Sequence, residues 1–175
     1  MKHPLLRRAA VAALLIIVGS RMVAARPLAA TAHLWPYESL CKLPDPPDPV
    51  KTYRMGQDAS VTMRGCSDLA KELGSPRAVW LHFVNTGNTE ADLLIKGLAS
   101  ISVKGGNSGT ALAIKFGRQS PLGRGMPSDI ATKLEGEFSL VVLAGGAVDL
   151  VVLFKAAAVG DSIVVGDQPP VKIEK

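Results

Sequence analysis

The chain has 175 residues, twenty Lys and Arg against fifteen Asp and Glu, a formal net charge of +5 and only 5% Trp, Tyr and Phe. Four of the bases, Lys2, Arg7, Arg8 and Arg21, fall in the first 25 residues, which hold no acid, so the rest of the chain carries sixteen bases against fifteen acids. A near-neutral chain with few, scattered aromatics lacks the clustered basic face and stacking rings of a nucleic-acid binder, while the roughly 150 residues that remain are enough for one domain with a real core.

The N-terminus reads as an address. Basic residues precede an uncharged apolar run from Ala9 to Val18, stopped by Gly19, Ser20 and Arg21, which is the layout of a cleavable signal peptide. Its length is about half of the roughly 20 residues that a membrane-spanning helix needs. No span is therefore expected after cleavage, and the mature protein is expected in the periplasm or outside the cell. Two sites offer small residues at the first and third positions before a cut: Val23-Ala24-Ala25 and Ala30-Thr31-Ala32. The first is favoured because it lies next to the apolar run; the second is the better A-x-A match.

Residues 26–50 include Leu43-Pro44-Asp45-Pro46-Pro47-Asp48-Pro49, which lacks the donors for a sheet interior and cannot be helical, so this region is expected to be an extended arm. The two cysteines of an exported chain are expected to pair: Cys41 with Cys66 would close a loop of 26 residues and add roughly 3–4 kcal/mol. No C-x-x-C spacing supports a redox or ligand role for them.

From residue 51 to residue 175 short apolar runs alternate with turn signals. Strands are predicted at Val50–Met55 and Ala59–Cys66, with Gly56-Gln57-Asp58 turning between them, followed by a short helix Asp68–Leu73 capped by Ser67 and stopped by Gly74. Ala78–Val84 is apolar on both faces apart from His82, as a central strand would be. Asn85-Thr86-Gly87-Asn88 ends it. One hairpin is predicted from the alternation of Ala99, Ile101 and Val103 across Gly105–Gly109 to Leu112, Ile114 and Phe116, a second from Phe138–Leu143 across Ala144-Gly145-Gly146 to Val148–Phe154, and a closing pair at Asp161–Val165 and Val171–Glu174. Some nine short strands and one minor helix predict an all-β, immunoglobulin-like antiparallel β-sandwich behind the cleavable signal peptide.

Chemistry is sparse. Beyond the leader only His33 and His82 are neutral-pH bases, no G-x-S-x-G elbow surrounds Ser108, and the glycine-rich turns are not followed by the Lys-Ser/Thr of a phosphate cradle. The expected function is a non-enzymatic binding or accessory module of the cell envelope, without cofactor, whose partner is a protein or another envelope component. Gly117–Gly136 is long for a connection in a compact sandwich, and Arg118, Leu122, Arg124 and Met126 within it are the expected partner contacts. The second reading is a copper protein: cleavage after Ala32 would leave the amine and imidazole of His33 as a chelate, with His82 as a third nitrogen. An enzyme of unknown class is the third.

Overall fold

The computed structural model describes residues 28–36, 50–54, 58–117 and 129–175. The leader, residues 37–49, Cys41 and with it the Cys41–Cys66 bridge, and Arg118, Leu122, Arg124 and Met126 lie outside them. The chain is all-β with a single α-helix among the described residues. In order these are β1 (Ala29–Trp35), β2 (Val50–Arg54), β3 (Ser60–Gly65), α1 (Cys66–Leu73), β4 (Arg77–Val84), β5 (Ala91–Ile95), β6 (Ile101–Lys104) and β7 (Gly109–Thr110). There follow β8 (Ala113–Phe116), β9 (Asp129–Glu135), β10 (Phe138–Val142), β11 (Ala147–Phe154), β12 (Ser162–Val165) and β13 (Val171–Glu174). No helix among the described residues is long and apolar enough to cross a membrane.

Eleven strands form one sheet in the order β2-β3-β9-β8-β11-β4-β1-β13-β12-β6-β7, and β10 and β5 form a separate pair. Their inner faces share one core. Val79, Leu81 and Phe83 of β4, Leu150 and Val152 of β11, and Ile173 of β13 meet Leu93 and Ile95 of β5 and Phe138 and Val142 of β10. Each such side chain contributes roughly 1.5–3 kcal/mol by leaving water.

Four expectations change. Residues 29–35 are not arm but a strand inside the sheet, antiparallel to β4 and parallel to β13, so the pairing is not antiparallel throughout. Leu28 is already buried and donates its N–H to Gln168 Oε1 at 2.9 Å. The first hairpin turns as predicted, β6 pairing with β7, but the chain then leaves β6: Ala111 N–H donates to Ile101 O, Leu112 N–H to Leu153 O, and β8 pairs with β11. The second hairpin is not one, because β10 pairs with β5 while β11 pairs with β4 and β8. Finally, the last third of the expected 117–136 loop is β9, paired with β3 along its length.

Helix α1 matches its prediction closely. Gly74, at φ +58°, ends it, and Leu69 and Leu73 pack over Ala78, Ala113, Ile130 and Leu153 on the outer side of the large sheet. Its N-terminal boundary differs: Gly65 is the N-cap position, no side chain caps it, and Cys66 opens the helix. One end of the outer face is thus covered. The part beside it, across β11, β4 and β1, carries the side chains considered next.

Candidate functional site

Three adjacent strands present their outward residues in cross-strand rows. β4 pairs with β11 on one side and β1 on the other, so the register aligns Asp149, His82 and Thr31 in one row, Val151, Trp80 and His33 in the next, and Leu153, Ala78 and Trp35 in the third. Directly opposed side chains on one face lie close enough to touch. The rings do so: the imidazoles of His33 and His82 stack on Trp80 with centroids 5.7 and 5.6 Å away and 28° between planes, and Trp35 tilts against Trp80 at 5.9 Å.

The polar atoms of this strip are fixed. His82 Nδ1 lies 2.7 Å from Asp149 Oδ1; an ionised carboxylate only accepts, so Nδ1 carries the proton and, in the neutral ring, Nε2 is the acceptor. His33 Nδ1 donates to the Lys175 carbonyl at 3.3 Å. Trp35 is 42% exposed, and His82 and Asp149 are partly exposed. The result is a row of rings open to solvent and edged by donors and acceptors.

At the Trp35 end the strip borders a cleft of about 310 Å³, lined by Trp35, Pro36, Ser75, Pro76 and Arg77 among others. Gly74 and Ser75, with φ of +58° and +39°, turn the chain from α1 into β4 there. A non-glycine residue in that region is strained, and such strain gathers at functional places.

Two of the sequence candidates, His33 and His82, are therefore brought together against one indole, Trp80. Among the described residues no group of three or more His, Cys, Asp and Glu could hold a metal. Trp35, Trp80 and Asp149 were missed as site residues. The signal for Asp149 was present: it is the one charge in the apolar run Ala147–Phe154.

A second polar cluster is structural. Asp161 is buried, with Oδ1 accepting from Gly106 N–H at 3.0 Å and Oδ2 from Asn107 Nδ2 and Ala158 N–H at 2.9 and 3.0 Å. The Asn107 hydrogen bond above all, with those backbone donors, holds its carboxyl below the ordinary aspartate range. A side chain on Gly105, at φ +137°, would collide with that carboxylate. Buried Asn85 does similar service at the far end of β4, donating from Nδ2 to Thr89 O and Val142 O while Oδ1 accepts from Gly87 N–H.

Compared with protein-family models, curated proteins and solved structures, the chain matches none.

Proposed function

We propose that this chain is an exported, non-enzymatic binding module of the cell envelope, an immunoglobulin-like sandwich in its layering, that meets its partner through the Trp35–Trp80–His33–His82 strip. The observation that carries the reading is the stack itself. Inward residues of β1, β4 and β11 supply the core, so large rings on their outward side are not required for folding, and exposed aromatic clusters mark interaction sites.

A catalytic reading has less support. His82 and Asp149 form half of a relay, and Thr31 stands next to His82 in register. A relay acting on a carbonyl also needs unengaged N–H groups for the developing oxyanion, whereas β1, β4 and β11 are paired along their lengths across these positions. The copper brace requires His33 as N-terminus, and a cut after Ala32 would remove four of the seven residues of β1, including fully buried Ala32. The same argument favours the cut after Ala25, three residues before buried Leu28.

The test is sedimentation of purified mature protein with washed cell-envelope material. Wild type is expected in the pellet and Trp80→Ala in the supernatant; equal partition of both defeats the strip as the binding surface.

A further inference from the structure

We infer that the strip binds a neutral, extended β-linked glycan chain, the pyranose rings lying along its aromatic surface and the hydroxyls meeting His82 and the cleft at Arg77. This rests on the binding-module reading and names its ligand. Three features point to it.

The first is the alternation of apolar planes with hydrogen-bonding groups. A sugar ring has an apolar C–H face and a rim of hydroxyls that both donate and accept. Trp35, 42% exposed, and the partly exposed Trp80 supply apolar ring surface, and His82, its Nδ1 committed to Asp149 at 2.7 Å, has Nε2 as the complementary atom.

The second is charge. The rows that carry the rings also carry Asp149 and His82, and Glu174 of β13 lies in register with His33. The core of a protein–protein interface is depleted in charged residues, so a protein partner would have to bury these carboxylates. A hydroxylated ligand adds hydrogen bonds at the rim while Asp149 keeps its bond to His82. With Lys115 in register with Val151 in the same row, the strip carries charges of both signs, which favours a neutral ligand.

The third is shape. The rings lie along a sheet surface and not in a pit, and the cleft of about 310 Å³ at the Trp35 end is at the small end of ligand sites, which run from roughly 300 to 1,000 Å³. That arrangement accepts one terminal or internal ring while the neighbouring unit extends over the His33–Trp80–His82 stack. It favours a straight chain over a coiled one.

The chain has two tryptophans, and both are in the strip, so intrinsic fluorescence reports on this site alone. Mature protein is titrated with cellohexaose, chitohexaose and maltohexaose, the last being α-linked and curved. A saturable change in emission with cellohexaose or chitohexaose, absent with maltohexaose, is expected, together with at least a tenfold weakening in His82→Ala and Trp80→Phe. Circular dichroism verifies that both variants are folded, and Val141→Ala, on an exposed position of β10, should titrate as wild type. No change with any hexasaccharide overturns the proposal, as does equal response to all three or undiminished binding in both strip variants. Trp80-dependent envelope sedimentation without sugar binding would retire the glycan and leave the binding module standing; loss of both would retire both.

Discussion

The two sides of β4 are made from one run of residues and obey different rules. Inward, Val79, Leu81 and Phe83 are almost completely buried, three aliphatic or aromatic hydrocarbons selected by volume. Outward, Trp80 and His82 keep part of their surface in water, each stacked and, for His82, bonded to a carboxylate across the sheet. Packing accounts for the first set completely. It does not account for the second, because a solvent-facing strand position beside a filled core gains little from an indole that a threonine or lysine would not supply. The difference separates what holds the sheet together from what the sheet displays.

The contrast is broken most severely by starting the chain at the wrong place. A protein beginning at His33 loses the pairing of Ala29–Ala32 with Val84–Leu81 and should show no cooperative thermal transition by circular dichroism, whereas one beginning at Arg26 should melt sharply. Intact mass of the exported protein should correspondingly give Arg26 as its first residue. Leu81→Ala comes next. It removes a fully buried side chain and should cost about 2–5 kcal/mol in denaturant unfolding, with fluorescence titrations of the remaining folded protein unchanged. Trp80→Ala should do the reverse, with a stability loss of only about 1–2 kcal/mol from lost ring contacts and complete loss of binding. Similar stability losses in the two variants would erase the distinction between the faces.

The smallest effect concerns acid. Asp161 is held below the ordinary carboxylate value of about 3.9, chiefly by Asn107, so the stability it contributes is complete above that value and is lost as pH falls through its depressed folded value. Melting temperature followed from about pH 6 to about pH 2 should fall in the acid limb, and Asp161→Asn should flatten that limb. Glu135, likewise lowered by Lys133 and Ser60, would keep a residual slope in the variant.

Much of the strand content was legible because it obeys a local rule. β2, β3, α1 and β4 follow from alternation, a glycine stop and an apolar run. What escaped depends on partners far away in sequence. β1 is rich in alanine, a weak strand former, and is extended because β4 and β13 flank it. β9 hid for a different reason: its register with β3 shifts between Thr62 and Met63, and a bulge destroys the period-two pattern by which a strand is recognised. The hairpins failed on choice of neighbour, since alternation identifies the strands but says nothing about whether β8 stays with β6 or crosses to β11. In the same way His33 and His82 were visible as residues, while their meeting at Trp80 required the register of β1.

That first strand has a temporal consequence. Its neighbours are β4 and, at the opposite end of the chain, β13, so the middle of the sheet is incomplete until residues 171–174 arrive. Contacts of such sequence separation make folding slow. In a chain made N-terminus first, β1 appears before β4 and gains its second neighbour only with β13. The topology thus leaves β1 with one of its two neighbours missing until β13 has been made.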